Sequence, residues 1–292
     1  MIKSYGAILI TIGLFSTIEV VTKHIAGNVD IWFLAFIRFF AAGLCLLYIG
    51  RQNLGNIRQR DFLSMLAIAI IGVPLAFGAF HLSLRTINAS TGAVIFSLNP
   101  VFSTIAAIFL VGERLSVRGI VGLILGFGGV YLVSFGPETV KMSEAVGPLL
   151  MFVSAVAFGT YITAAKRYVA LYGPFTVMGL LFTTGSPLFL PFIDGTIYGG
   201  LFPTALWIAY LTFAATGLAY VLYFYGLSRL SITAGTSVFY LKPVIASLLA
   251  RVILDEKLPP HFLVGLAIIL GSLSLTRKNL PRFKGAENKT NS

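Results

Sequence analysis

Apolar runs of about 16 to 24 residues alternate along this chain with mostly short polar connections, and a charged polar stretch ends it. The pattern predicts ten helices, over 4–22, 32–49, 62–84, 88–111, 117–135, 147–165, 174–193, 204–227, 232–253 and 261–276. Crossing the hydrocarbon of a bilayer takes roughly 20 helical residues, so most of these runs are long enough to span one. Two are marginal: 174–193 carries Pro187 and Pro191, and 261–276 is short. The expected fold class is therefore all-α and integral to the membrane, with ten transmembrane helices. The polar tail, residues 277–292, is expected to be disordered and cytoplasmic.

Composition agrees with this reading. The chain is 57% hydrophobic and 11% charged, where a soluble domain carries roughly 25% charged residues. A net charge of +11 would suggest nucleic acid in a soluble protein. Here the basic residues sit in the short loops and the tail, so nucleic acid is not an expected partner. With ten spans both termini share one side, and that side collects 14 Lys and Arg against five on the other. Cytoplasmic loops are enriched in Lys and Arg, which places both termini in the cytoplasm of a multi-pass protein of the inner (plasma) membrane. Residues 5–22 after Lys3 could pass for a signal peptide, but no small-x-small cleavage site follows and the segment has a counterpart later in the chain. It reads as a retained helix. The one cysteine, Cys45, excludes an intrachain disulfide and a metal site built from a Cys cluster, and no cofactor is expected.

A repeat runs through the chain. "FSLNPVFSTIAAIFLVGERL" at 96–115 recurs 143 residues later as "FYLKPVIASLLARVILDEKL". The same offset matches Phe15 with Phe158, Thr17 with Thr160, Lys23 with Lys166 and Phe39 with Phe182. It also matches Gly92 with Gly235, Gly122 with Gly265, Gly128 with Gly271, Pro100 with Pro243 and Glu113 with Glu256. The expected domains are a first five-helix repeat over 1–136 and a second over 147–276. Five is odd, so the second copy would cross the membrane in the opposite sense, the inverted-repeat architecture of many carriers. A duplicated structural scaffold is the alternative.

Pro100 and Pro243 lie about eleven residues into their spans, near mid-membrane at 1.5 Å per residue. Each removes a helical N–H and frees a carbonyl, at Phe96 and Phe239. Freed backbone at that depth is tolerated where it lines a cavity or is buried in protein, and paired interruptions mark candidate transport sites. The segments "NPVFSTIAAIFLVGERLS", "GIVGLILGFGGVYLV" and "KPVIASLLARVILDEKLPPHFLVGLAIILGSLSL" resemble the EamA-type family of drug/metabolite transporters. The resemblance covers nearly the whole chain. It implies ten helices in a five-plus-five inverted repeat and a secondary carrier, in most characterised members an exporter of amino acids or other small metabolites.

Charges inside spans are costly, roughly 2.5–3.5 kcal/mol at a helix centre on insertion scales, so each is a candidate site residue. Glu19 and Arg38 flank a short hairpin at similar depth and are expected to pair, either as a structural ion pair or as an exchange point for a proton or substrate amine. Lys23 could instead pair with Glu19 at i,i+4. Lys242, beside Pro243, has the neutral Asn99 as repeat mate, and both are candidate substrate-binding residues on the cavity wall. Asn99 offers donors and an acceptor; Lys242 calls for a substrate carboxylate, for helix-end carbonyls or for Glu19 from across the bundle. Tyr161 and Tyr240 lie too deep for an interfacial belt and are expected on the cavity wall. His81, near one helix end, is a further binding candidate and not a metal ligand. Gly122, Gly126 and the following glycines read as helix-packing notches.

An intramembrane enzyme would need a positioned nucleophile and base or a metal, and one Glu with one well-placed His provides neither. The expected function is a carrier exporting small zwitterionic or anionic metabolites such as amino acids by alternating access, with a small-molecule substrate, the lipid bilayer and protons as coupling ion for partners. It is expected to act as a monomer or weak homodimer. The alternatives are a flippase or exporter of lipid-like or cationic compounds, and a regulatory membrane subunit.

Overall fold

Hydrocarbon offers no partner to backbone N–H and C=O groups, so an apolar chain of this composition satisfies them within helices. The computed structural model describes residues 2–25, 27–83, 85–86, 95–134, 146–195, 201–253 and 261–277. Among these residues there are helices and no strand. The chain enters with α1 (Ile2–Ser16) and α2 (Ile18–Ile25), then α3 (Ile31–Gly50), whose start is capped by the Asp30 carboxylate accepting from Phe33 N at 2.8 Å. α4 (Gln59–Ile70) and α5 (Ala76–Ser83) are joined by a π-helical turn at Ile71–Leu75. α6 (Asn99–Val111) and α7 (Val117–Ser134) close the first half.

The second half opens with the longest helix, α8 (Val146–Tyr172), followed by α9 (Pro174–Gly185). α10 (Leu201–Ala209) runs through a π-helical stretch, Tyr210–Leu218, into α11 (Ala219–Leu227). A short α12 (Ile232–Thr236) leads by a 3₁₀ turn, Ser237–Tyr240, to α13 (Leu241–Ile253), and α14 (Phe262–Arg277) ends the described chain.

Among the described residues, five continuous stretches are long and apolar enough to cross a membrane: Ile31–Asn56, Gln59–Ser83, Val146–Tyr172, Pro174–Phe192 and Thr204–Leu227. Shorter apolar helices accompany them, at Lys3–Ser16, Asn99–Val111, Val117–Leu132 and Phe262–Thr276. Several of the expected runs are thus broken, each for a local reason. The run over 4–22 is interrupted at Thr17, whose hydroxyl donates to Leu14 O at 2.7 Å and also bonds Tyr210 Oη at 2.8 Å. In the run over 88–111 the described part makes a turn at Ser97–Leu98 before α6; residues 87–94 lie outside the described chain. The run over 232–253 is split by the 3₁₀ turn. Pro100 and Pro243 come second and third in the helices they open, where a missing N–H costs nothing. After α9, Pro187 and Pro191 tighten Ser186–Phe192 into a 3₁₀ helix.

The packing repeats itself across the two halves. α1 packs on α11 and α13, and the 143-residue offset turns these pairs into α8 on α5 and α8 on α6, which also pack. α3 packs on its own repeat mate α9, and α7 on its mate α14. Both mate pairs run antiparallel. A Cβ at Gly43 would come within 2.5 Å of Thr183 Oγ1 and one at Gly50 within 2.6 Å of Thr176 N, so rising numbers in α3 meet falling ones in α9. Likewise Gly122 faces Thr276 and Gly129 faces Ile269. Small residues here let two backbones approach closely, the basis of helix association in lipid.

Outside this packing the surface is apolar. Phe109, Val117 and Leu263 are 81%, 76% and 72% exposed, with many Leu and Ile around them. A soluble surface does not present this much contiguous hydrocarbon; a bilayer covers it.

Candidate functional site

Where the mirrored helix pairs meet, the chain forms a narrow, half-open cavity of about 40 Å³. Its wall is built largely of repeat mates. Phe15 and Phe158, Phe77 and Tyr220, and Phe96 and Phe239 all line it, each pair 143 residues apart. Their contacts are mates as well. Phe15 meets Tyr220 at 5.0 Å and Phe239 at 5.8 Å between ring centroids; Phe158 meets Phe77 at 6.0 Å and Phe96 at 5.3 Å. Two further contacts, Phe158 with Phe239 at 5.6 Å and Phe77 with Tyr220 at 6.4 Å, join the two sets.

Polar groups enter this aromatic wall from few places. Arg38, 4% exposed, comes from the middle of α3. Its Nε donates to Thr216 Oγ1 at 2.5 Å, and its guanidinium carbon stands 5.1 Å from the Phe39 ring centre. Thr216 sits in the π-helical stretch and donates its own proton to Leu211 O at 2.8 Å, five residues back. The widened turn thereby fixes the hydroxyl that orients Arg38. The offset carries the other π-helical turn, Ile71–Leu75, into this stretch, with Val73 as the mate of Thr216. Lys242 lines the cavity from the start of α13, its Nζ 5.7 Å from the Phe96 ring centre and its carbonyl 3.4 Å from Ser16 Oγ, whose proton goes to Ile12 O at 2.7 Å. His81, at the end of α5, also lines the cavity, and its Nδ1 has no hydrogen-bond partner among the described residues.

Of the residues singled out in the sequence, the structure brings Arg38, His81 and Lys242 to one cavity. Glu19 lies in α2 next to Ile18, which lines the wall; its side chain is outside the described part, and the expected Glu19–Arg38 pair with it, as is the side chain of Lys23. Three expected wall residues do not line the cavity. Asn99 is buried with its Nδ2 donating to Phe96 O at 2.9 Å, so its amide caps the carbonyl that Pro100 leaves free. Tyr161 turns away to Met178, its Oη donating to the sulfur at 3.4 Å with Gly72 against the ring. Tyr240 packs over Gly126 and donates to Leu123 O at 3.1 Å. Tyr240 precedes Lys242 by two residues, about 200° around a helix, so the two face opposite sides. Among the described residues no cluster of three or more His, Cys, Asp and Glu could hold a metal.

The aromatic wall was missed at the sequence level because Phe is common in any apolar helix. The offset was the available signal: applied to aromatics alone, it pairs 15 with 158, 77 with 220 and 96 with 239.

These features define a polytopic helical membrane protein with an aromatic-walled central cavity. The EamA-like transporter family model matches the chain twice, over residues 3–135 and 145–277, so the chain belongs to that family, whose members are transporters and not enzymes. A protein of Clostridium kluyveri described as an uncharacterized transporter is 26% identical over 94% of this chain and 93% of its own. A probable terminal-alkyne amino-acid exporter of Streptantibioticus cattleyicolor is 29% identical over 73% of this chain and 71% of its own. A crystal structure 20% identical in sequence superimposes with a TM-score of 0.80, covering 97% of this chain and 99% of that one, which fixes the fold.

Proposed function

We propose that this transporter is an alternating-access carrier exporting small carboxylate-bearing metabolites, amino acids first among them. The observation that carries the reading is the cavity wall itself: repeat-mate aromatics from both halves, with Arg38 and Lys242 among them. A site made by two copies of one unit can open to either side as the copies rock. The two cations supply a counter-charge for a carboxylate, and they argue against a cationic cargo. The amino-acid exporter among the relatives agrees with this substrate class.

In the same proposal the chain forms ten spans in two inverted repeats, 1–136 and 147–276, a reading supported by the antiparallel packing of α3 on α9 and of α7 on α14. Both termini and the tail 277–292 lie in the cytoplasm, and Glu19 exchanges a proton for substrate. Reconstituted protein is expected to exchange radiolabelled amino acids in counterflow. Glu19→Gln should keep this exchange, which needs no net proton movement, and lose accumulation driven by a pH gradient. Failure of every small carboxylate to exchange overturns the proposal, and uphill transport retained in Glu19→Gln removes the coupling role.

A further inference from the structure

The two ends of the bundle are built by the same repeated unit but carry different charge. Arg51 follows α3 and Arg229 follows α11, and both lie at one end of the molecule. Asn53 Nδ2, two residues past Arg51, donates to Tyr172 O at the end of α8, at 3.2 Å. Lys166, less than two turns earlier in α8, donates to Leu230 O, next to Arg229. The 143-residue offset carries Arg51 to Asp194, beyond α9, and Arg229 back to Thr86, beyond α5. Both mates are exposed at the opposite end and neither is a cation. The described carboxylates at the Arg51 end are engaged. Asp61 accepts from Tyr172 Oη at 2.6 Å, and Glu113 accepts from Ile232 and Thr233. Arg58, Arg60 and Arg114 stand exposed around them, so this end is strongly positive.

Arg51 and Arg229 differ from their basic neighbours in what they rest on. The guanidinium carbon of Arg51 stands 4.4 Å from the Tyr48 ring centre, and that of Arg229 stands 4.0 Å from the Tyr225 ring centre. Both rings are exposed, Tyr48 by 69% and Tyr225 by 38%, the first among exposed Leu44 and Ile49. Two other arginines meet rings, Arg167 over Tyr168 and, at the opposite end, Arg85 over Trp32, both at 5.8 Å; those rings are buried. Tyrosine at the edge of the hydrocarbon settles at headgroup depth, and a guanidinium over its face is held there by the ring quadrupole. Arg229 Nη1 donates to Tyr225 O at 3.2 Å, which uses one of its five N–H donors. Among the described residues neither Arg51 nor Arg229 pairs with a carboxylate.

We propose that Arg51 on Tyr48 and Arg229 on Tyr225 are two binding sites for anionic phospholipid, each taking the headgroup phosphate on the guanidinium while an acyl chain lies along the exposed apolar face below the ring. Guanidinium matches phosphate with two parallel hydrogen bonds, which an ammonium cannot offer. The net positive charge of this end selects a headgroup with no cation of its own over a zwitterionic one. A diffuse attraction of the leaflet would be shared among all the exposed cations. The ring-held pair of each site, a cation and an apolar face at fixed spacing, makes the attraction local instead. The sites clasp the ends of α3 and α11, which carry Arg38 and Tyr220 to the cavity. The proposal stands on the outer surface and is independent of what the cavity transports.

The test is native mass spectrometry of the purified full chain in detergent, titrated with dioleoylphosphatidylglycerol or dioleoylphosphatidylcholine, which share acyl chains and differ in headgroup charge. The unmodified chain is expected to retain two phosphatidylglycerol molecules at concentrations where phosphatidylcholine is lost. Arg51→Gln and Arg229→Gln should each weaken one of the two binding steps by about fivefold, the contribution of one basic residue near an anionic surface, and the double variant should lose the headgroup preference. Arg60→Gln removes the same charge from an exposed arginine at the same end that lies over no ring, and should keep both steps. Tyr48→Leu and Tyr225→Leu keep an apolar side chain and the cation, and should weaken their own step by about threefold. Equal retention of the two lipids by the unmodified chain overturns the proposal. So does a loss in Arg60→Gln as large as in Arg51→Gln, which would make the preference one of net charge alone. Displacement of phosphatidylglycerol by millimolar inorganic phosphate or glycerol phosphate would assign the arginines to a soluble anion and overturn the lipid sites as well.

Discussion

Arg38 is a guanidinium placed among apolar rings, and such a charge is tolerated only where its donors are met. Thr216 meets one of them, at 2.5 Å from Nε, and is itself anchored on Leu211 O. Thr216→Val keeps the branched shape and removes the acceptor that orients Nε. The KM for a carboxylate substrate in counterflow should rise by about tenfold, the lower end of what a hydrogen bond to a charged group contributes. Thr216→Ser should restore it, because serine offers the same oxygen. A Val variant with unchanged KM would make Thr216 a packing residue only. Arg38 and Lys242 were legible as single charges in apolar runs. The facing of Tyr161 and Tyr240 was not, because depth along a helix says nothing of rotation about it. Asn99 was misplaced for another reason: a carbonyl freed by the next residue claims its amide first.

At the scale of elements, the end of α6 is clamped to the start of α12. The Glu113 carboxylate accepts from Ile232 N at 2.8 Å, Thr233 N at 3.2 Å and Thr233 Oγ1 at 2.8 Å. Lys166 from α8 adds a bond to Leu230 O, and Thr104 of α6 reaches Thr233 at 3.3 Å. The Glu113 and Thr104 bonds cross from one half to the other, while the Lys166 bond stays within the second half, and the crossing bonds are expected to restrict access from the Arg114 side. Removing the carboxylate in Glu113→Ala leaves two backbone donors without partner there. An impermeant thiol reagent added from that side should then label Thr104→Cys about tenfold faster, in line with hydrogen bonds to a charged group of roughly 1.5–3 kcal/mol. Equal labelling with and without Glu113 would show that the clamp does not govern access. The sequence repeat pointed to Glu113 as a matched residue but not to its role, because capping a helix 119 positions away is invisible to spacing. Its mate Glu256 lies outside the described residues. The helices themselves, the interruptions before Pro100 and Pro243 and the glycine contacts of α7 were all readable, since periodicity, missing N–H groups and missing side chains act locally. The π-helical turns were not, because widening by one residue leaves the apolar run intact.

For the whole molecule, the mirrored contacts make orientation the decisive question, because they decide which side the Glu113 clamp closes. With 14 basic residues on the side of the termini against five opposite, Arg58 and Arg114 are expected in the cytoplasm and Lys141 outside. Cys45 is exposed beside Leu44 and Tyr48 on a face of α3 that lipid would cover, so it is replaced by serine to give a clean background. In that background, Arg58→Cys and Lys141→Cys should behave oppositely toward an impermeant maleimide. In intact cells Lys141→Cys should label and Arg58→Cys should not, and both should label once the membrane is permeabilised. Labelling at Arg58→Cys in intact cells would invert the molecule, and the Glu113 clamp would then close the outer mouth. A clamp that closes the inner mouth holds the cavity away from cytoplasmic substrate until it releases, so with the expected orientation Glu113→Ala should also raise the rate of substrate entry from the cytoplasmic face. The orientation result and the Thr104→Cys labelling in Glu113→Ala together tell which mouth the Glu113 bonds govern.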